Sequence, residues 1–216
     1  MLCLENTQNR CSGAVMTPQE TKAVCDVAHD AGVPVHLDGA RIFNASVSLE
    51  VPVIELTRDV DTMSFCLSKA LSCPVGSVLV GTKEFITEAA RWRKMVGGGM
   101  RQAGILAAAG LVALDTMVDR LAEDHQNARR LAQGLANIDG LTLDADSIQT
   151  NIVIFSVDAE VSPAPDFIKA MGAAGVQVSY PGERSIRMVT HRHISSEDVD
   201  ETLSRTSHVV RELRVK

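Results

Sequence analysis

The chain has 216 residues, of which 45% are hydrophobic and 22% charged, and its net charge is −6 with a pI of about 5.5. This acidic balance excludes the basic face by which proteins bind nucleic acids and anionic membranes, so neither is an expected partner. No apolar run of about 18 residues is present, and the start MLCLENTQNR lacks a basic region ahead of an apolar one, so neither a membrane span nor a signal peptide is predicted.

The first part of the chain alternates short apolar segments with helical ones. Residues 1–5 predict a strand, and Thr17-Pro18-Gln19-Glu20 predicts the start of a helix, because Thr17 can cap it and Glu20 can reach back to the cap. This helix should end near Gly32. The elements predicted next are a strand over 33–37, a helix over 42–49, and strands over 61–67 and 76–81. Such alternation is typical of an α/β sheet with mixed or parallel strands.

From Lys83 onward the pattern becomes helical. Residues 101–117 are Ala-rich and apolar nearly all round, which predicts a buried helix in the core or at a subunit interface. An amphipathic helix over 119–137 follows. The elements predicted after it are a strand over 151–157, a helix over 165–175, strands over 176–180 and 185–190, and a helix over 195–213. The chain is therefore expected to divide into a large unit, 1–122, and a small C-terminal α/β unit, 123–216.

Three polar residues, Asp38, Arg41 and Lys69, follow the ends of predicted strands, where ligands gather in open α/β sheets. Lys69 interrupts the apolar and small-residue run SFCLSKALS, so it either reaches solvent or lies inside for chemistry. Burial lowers the pKa of a lysine, and a neutral amine can form a Schiff base with an aldehyde. Taken singly, the three also fit a turn residue, a solvated helix-start residue and a surface lysine.

Other signals favour no further chemistry. The five cysteines have no CxxC spacing and are interpreted as free thiols of a cytoplasmic protein. Gly97-Gly98-Gly99 is followed by no Gly-Lys-Ser/Thr and is interpreted as a turn that opens the next helix. His191 and His193 have no third ligand nearby in the sequence, so no metal site is expected.

Five segments together resemble the low-specificity L-threonine aldolases, and they cover essentially the whole chain in order. They are LCLENTQNRCSGAV, HLDGARIFNA, DTMSFCLSKALSCPVGSVLVGT, RWRKMVGGGMRQAGILAAAGLVAL and IRMVTHRHIS. The resemblance implies an aspartate-aminotransferase-like fold, fold type I of the enzymes that use pyridoxal 5'-phosphate (PLP). Family members carry a further segment ahead of LCLEN, so the expectation is an incomplete large domain plus a small C-terminal domain.

The resemblance also implies roles for individual residues. Lys69 would form the Schiff base with PLP, Asp38 would pair with the pyridine nitrogen, and Arg41 would contact the phenolic oxygen. Arg187, in IRMVTH, would hold the α-carboxylate of the substrate, which a planar guanidinium can grip with two hydrogen bonds. Two further residues, expected near the cofactor phosphate, are Lys94 and Arg101.

The implied reaction is retro-aldol cleavage of L-threonine or L-allo-threonine to glycine and acetaldehyde. The enzyme would be a cytoplasmic homo-oligomer, a dimer or tetramer, of threonine catabolism and glycine biosynthesis. Gln8 departs from the family pattern ENTHN, whose histidine is a candidate for acid–base catalysis, and a glutamine cannot titrate near neutrality. Turnover is therefore expected to be weakened. Ala70 replaces a family glycine and would be strained if that position needs a positive φ.

Two alternatives remain open at this stage. The chain could be a truncated, catalytically impaired member of the family that acts as a non-catalytic subunit or pairing partner. It could also be another lyase or an aminotransferase of the same fold, such as an aromatic amino acid β-eliminating enzyme. The products separate that last case, since it would release ammonia and a keto acid instead of glycine and an aldehyde.

Overall fold

The structure is a computed structural model that describes residues 1–179, 182 and 184–214. The chain folds into two compact units. The first contains Met1–Thr7 and Val15–Leu121, and the second contains Gln8–Ala14 and the chain from Ala122 onward. The short segment Gln8–Ala14 therefore belongs to the C-terminal unit, although it follows the first strand of the chain. No helix in the described part of the chain is long and apolar enough to cross a membrane.

A four-stranded mixed sheet forms the centre of the first unit. Its strands are β1 (Leu2–Glu5), β2 (Val35–Asp38), β3 (Thr62–Cys66) and β4 (Ser77–Val80), in that spatial order. β1, β2 and β3 are parallel, and β4 is antiparallel to β3. All four lie within one to two residues of their predicted positions, and the predicted mixed α/β sheet is confirmed.

Three helices pack on one face of this sheet. They are α1 (Pro18–Asp30), α2 (Ile42–Leu49) and the short α3 (Val53–Thr57), which the sequence did not predict. The predicted capping box of α1 is present: Thr17 Oγ1 accepts from the Glu20 amide at 3.2 Å, and a Glu20 carboxylate oxygen accepts from the Thr17 amide at 2.8 Å. The buried residues that join sheet and helices include Leu37, Ile42, Leu56 and Met63.

Two further helices, α4 (Lys83–Met95) and α5 (Gly104–Thr116), complete the first unit. Every residue of α4 is exposed or half-buried, and the buried residues of α5 are Gly110 and Ala113. The alternative that placed the helix over 101–117 in the core of this chain is therefore wrong, and its place at a subunit interface stays a prediction. Only one small-residue side of α5 packs, against Leu67 and its neighbours, and Ile105 and Leu111 remain 83% and 70% exposed.

The second unit is a three-stranded antiparallel sheet covered by helices. Its strands, in spatial order, are β5 (Leu141–Thr142), β6 (Ile152–Val157) and β7 (Ser185–Val189). Its helices are α6 (Leu121–Ala136), α7 (Ala164–Ala173) and α8 (Ser196–Arg214). The core contains Phe155, Phe167, Met171 and Ile186, with the two phenylalanine rings edge to face and their centroids 6.1 Å apart.

The prediction from the sequence was less accurate between α7 and β7. A strand was predicted over 176–180, but residues 176–178 form no strand, and Ser179 makes only an isolated bridge to Arg187. Tyr180, the last residue of that prediction, lies outside the described residues. The helix over 195–213 is confirmed within one residue at each end.

Candidate active site

Asp38 lies at the carboxyl end of β2, where the sequence placed it, and its side chain is exposed. One carboxylate oxygen accepts from the Ala40 amide at 3.0 Å. Gly39 then turns the chain tightly across β3, and its amide donates to the Ser64 carbonyl at 2.8 Å. A Cβ at Gly39 would lie 3.0 Å from that carbonyl oxygen, a contact so close that a larger residue would require a small shift of the neighbouring backbone. This contact fixes Asp38 at the edge of the sheet, opposite Ser64 of the neighbouring strand.

Lys69 lies in the turn that follows β3. Leu67, Ala70 and Leu71 are buried in this turn, whereas Lys69 is exposed. Of the two alternatives that the sequence left open for Lys69, the structure shows the one that reaches solvent, because the turn buries its apolar members and leaves the amine outside. The positive φ of the turn falls on Ser72, at 62°, and not on Ala70, so the strain considered for Ala70 does not arise.

Arg41 is the N-cap residue of α2 and is half-buried. Its carbonyl oxygen accepts from the Asn44 amide at 2.9 Å, which begins the helix. Asp38, Arg41 and Lys69 therefore all follow the carboxyl ends of two adjacent parallel strands, and the first unit brings them to one edge of its sheet. The two residues expected at the phosphate lie on the exposed stretch of α4 and the loop after it; they are Lys94 and Arg101.

Gln8 begins a closed loop, Gln8–Ala14, of the second unit. Its amide donates to the Ala14 carbonyl at 2.9 Å, and its side-chain carbonyl oxygen accepts from the amides of Arg10 and Cys11 at 2.7 and 3.1 Å. The Thr150 hydroxyl donates to the Gly13 carbonyl at 2.8 Å and joins the loop to the segment two residues before β6. The carboxamide of Gln8 thus stabilises its own loop, and the catalytic role expected for this position stays a prediction.

Arg187 lies in β7, paired with Ile154 of β6. Its Nη1 donates to the side-chain oxygen of Asn9 at 2.9 Å. Its Nε is buried and has no hydrogen-bond partner among the residues that the structure describes. A half-buried guanidinium with a buried, unused donor can receive an oxyanion.

Asn9 is a residue of this site that sequence reasoning missed. It stands inside the quoted motif LCLENTQNRCSGAV, but its partner Arg187 is 178 positions away in the chain. Nothing in the local pattern pairs two such distant residues. Within the described ranges, no three His, Cys, Asp or Glu side chains are grouped as a metal site requires.

The residue with a large pKa shift, His125, is not one of the candidate site residues. His125, at the start of α6, is only 2% exposed, and its burial, together with the nearby Arg129, lowers its pKa from 6.5 to about 4. In the first unit, the Val35 amide and the His29 ring hold the pKa of Asp61 below its usual value. The pKa shifts of His125 and Asp61 affect the stability of the fold, and neither residue is a candidate site residue.

The mixed sheet with polar residues at its carboxyl edge and the small antiparallel unit define an aspartate-aminotransferase-like, fold type I architecture. A solved threonine aldolase structure from Leishmania major superposes with a TM-score of 0.73 at 17% identity, over 96% of this chain and 60% of that chain. The chain belongs to the beta-eliminating lyase family, whose model matches residues 1–158.

Curated relatives agree with the motif resemblance and confirm it. "Probable low-specificity L-threonine aldolase 2" of Arabidopsis thaliana is 45% identical over 207 residues, which are 94% of this chain and 58% of the relative. The low specificity L-threonine aldolase of Escherichia coli strain K12 is 41% identical over 202 residues, covering 93% of this chain and 57% of the relative. The chain thus spans less than two thirds of the length of these relatives.

Proposed function

We propose that this chain carries out PLP-dependent retro-aldol cleavage of L-threonine or L-allo-threonine to glycine and acetaldehyde. The observation that carries the proposal is the placement of Asp38, Arg41 and Lys69 at one sheet edge, in a chain over 40% identical to curated threonine aldolases. The names of those relatives supply the substrate class. The family model, which covers residues 1–158, supports a lyase.

The residues present fit the cofactor chemically. A primary amine, a carboxylate and a guanidinium lie at the edge of the first sheet, and the buried, unpartnered Nε of Arg187 provides a donor for an oxyanion. PLP, when bound, supplies an aldehyde for the Lys69 amine and a ring that withdraws electrons from the α-carbon of the substrate. Asp38 would keep a proton on the ring nitrogen, and Arg41 would stabilise the negative phenolic oxygen.

The remaining steps depend on how the substrate is held. Arg187 would fix the α-carboxylate and thereby orient the bond between the α- and β-carbons for cleavage, since orientation contributes several orders of magnitude in rate. Gln8 cannot accept the proton of the β-hydroxyl at neutral pH. We therefore expect this chain to turn over more slowly than one with histidine at this position. Lys94 and Arg101 are proposed to bind the cofactor phosphate.

The proposal includes a homo-oligomeric, cytoplasmic enzyme of threonine catabolism and glycine biosynthesis. The support for oligomerisation is the exposed apolar side of α5, where Ile105, Leu111 and Val112 are each more than 60% exposed. The support for a reducing compartment is that all five cysteines are free thiols. A dimer or a tetramer would bury the side of α5 that this chain leaves in water.

The test is PLP uptake at a named amine. Purified chain mixed with PLP should turn yellow, borohydride should bleach the colour, and mass spectrometry should find the reduced adduct on Lys69. Lys69→Ala should abolish the adduct, whereas Lys83→Ala, at an exposed lysine of the same unit, should leave it intact. A folded sample that takes up no PLP contradicts the proposal and favours the non-catalytic subunit.

A second measurement identifies the reaction. The PLP-loaded chain should convert L-threonine to glycine and acetaldehyde in equal amounts. Release of ammonia and a keto acid would instead identify an aromatic amino acid β-eliminating activity or another lyase of the same fold. Product analysis therefore separates the proposed function from its nearest rival.

A further inference from the structure

We propose that Asn9 is a positioning residue for Arg187. It holds the guanidinium so that the edge formed by Nε and Nη2 receives the α-carboxylate of the substrate. The inference rests on the proposed function, because it takes the amino acid carboxylate as the ligand of Arg187. It gives a role to Asn9, the last residue of the motif ENTQN, and it assigns an orientation to the arginine.

The guanidinium of Arg187 uses one of its nitrogens in a hydrogen bond to Asn9 and leaves another without an acceptor in the described ranges. Nη1 donates to the Asn9 side-chain oxygen at 2.9 Å, so this corner is already used. Nε is buried and has no partner within the described residues. A buried donor without an acceptor is unfavourable and marks a place where an acceptor belongs. Nε and Nη2 form a parallel pair of donors, which matches the two oxygens of a carboxylate.

The backbone of Arg187 is fixed on both sides. It pairs with Ile154 on β6, and on the other side its amide donates to the Ser179 carbonyl at 2.7 Å while its carbonyl accepts from the Ser179 amide at 3.1 Å. Only the long side chain retains rotational freedom, and an arginine side chain has several rotatable bonds. The contact with Asn9 is therefore the restraint that selects one orientation of the guanidinium.

Asn9 can act as a restraint because its own loop is anchored. The ends of the loop pair through Gln8 and Ala14, and Gly13 accepts a hydrogen bond from the buried hydroxyl of Thr150. Gly13 has a φ of 70°, and a Cβ there would lie 2.2 Å from the Thr150 hydroxyl oxygen. The loop is thus fixed to the same unit that carries Arg187, and Asn9 is held at a constant distance from it.

The chemistry of asparagine suits this task better than that of aspartate. A carboxylate at position 9 would form an ion pair with Arg187 and compete with the carboxylate of the substrate. The neutral amide oxygen accepts one hydrogen bond and leaves the positive charge for the ligand. Asn9→Asp should therefore weaken substrate binding more than Asn9→Ala does.

The kinetic test uses the PLP-loaded chain and separates KM from kcat. Asn9→Ala should raise KM for L-threonine about tenfold, as the loss of one ordering hydrogen bond predicts, with kcat changed less than threefold. Asn9→Asp should raise KM roughly a hundredfold. Asn137→Ala, at an exposed asparagine of the same unit, should change neither. Equal KM values in wild type and both Asn9 variants would overturn the assignment.

Two readouts distinguish a positioning role from a structural one. L-Threoninamide lacks the carboxylate, so its affinity should be the same in wild type and Asn9→Ala; a matching loss for both ligands would overturn the inference. Without cofactor, the Nε–H resonance of Arg187, identified by its loss in Arg187→Lys, should broaden in Asn9→Ala. An unchanged resonance would also overturn it. Failure of the wild-type chain to take up PLP would instead defeat the proposed function.

Discussion

Gln8 stands where the threonine aldolase motif has a histidine, and its side chain binds two backbone amides of its own loop. The resemblance treats this position as catalytic, whereas the hydrogen bonds show a side chain that stabilises local structure. An imidazole could accept one backbone hydrogen bond and also titrate near neutrality, which a carboxamide cannot do. The substitution thus retains the loop at the expense of an acid–base group.

Gln8→His should raise the rate of L-threonine cleavage by the PLP-loaded chain roughly tenfold to a hundredfold, because a positioned general base contributes about 10² or more. The gain should disappear below the pKa of the new imidazole. Acetaldehyde release measured from pH 5 to 8 gives the comparison. Gln133→His, on the exposed side of α6, should have no effect. An unaltered rate in folded, loaded Gln8→His would exclude a catalytic role for this position.

His125 makes the second unit sensitive to acid. Its folded pKa of about 4 lies below the unfolded value of 6.5, so the unfolded chain binds the proton first as the pH falls. Stability contributed by the neutral ring is complete above pH 6.5 and is lost as the pH falls toward 4. We expect roughly 2 kcal/mol less unfolding free energy at pH 4.5 than at pH 7 from this residue.

Urea denaturation at the two pH values measures this loss. His125→Gln should reduce the difference between them, even if the variant is less stable at both. His208→Gln, at an exposed histidine of α8, is the matched control and should retain the full difference. An identical pH dependence in wild type and His125→Gln would show that other groups cause the acid sensitivity.

Whole elements were predictable where their signals are local. The start of α1 follows from Thr17, Pro18 and Glu20, which act within four residues of one another. The strand predicted at 176–180 is wrong over 176–178, because an apolar pattern does not show whether a segment pairs with another strand. β5, with two residues, is too short to give a pattern. Asn9 was missed because its contact with Arg187 joins segments 178 positions apart.

The loop Gln8–Ala14 is an element whose shape depends on one glycine. Gly13→Ala should destabilise the chain by about 2–3 kcal/mol, because it combines a positive φ with a collision against Thr150. Gly32→Ala is a matched control, since Gly32 has almost the same φ, 69°, and open space around its Cβ position. It should cost only about 1 kcal/mol. Equal losses in denaturant titrations would show that the Thr150 contact is unimportant.

At the scale of the whole molecule, the sequence predicted the fold class but not which surfaces are buried. Residues 101–117 are apolar nearly all round, and this composition indicates a helix that requires a packing partner. Composition does not show whether that packing partner belongs to the same chain or to another one. In this chain Gly110 and Ala113 pack against the turn that carries Lys69, Leu106 and Ala109 are half-buried, and the other residues of the helix are exposed. The same limit explains why the sequence left open whether Lys69 is buried.

The exposed side of α5 predicts self-association. Leu111→Glu places a charge in the apolar surface and should shift the chain toward monomers, because a buried unpaired charge is costly. Size-exclusion chromatography with light scattering measures the mass. Val27→Glu, at a 73% exposed valine of α1, should leave the mass unchanged. A wild-type chain that is monomeric at high concentration would contradict the proposed homo-oligomer.

The loop that Asn9 belongs to also has a consequence for synthesis on the ribosome. The residues that bind this loop, Thr150 and Arg187, are translated 137 and 178 positions after their partners Gly13 and Asn9. The loop therefore stays without these two partners until the segment that contains Arg187 has been translated. Expressing the chain from Ala122 onward alone would leave out Gln8–Ala14, which belongs to the same unit. Adding this segment as a short peptide should restore its hydrogen bonds to Thr150 and Arg187.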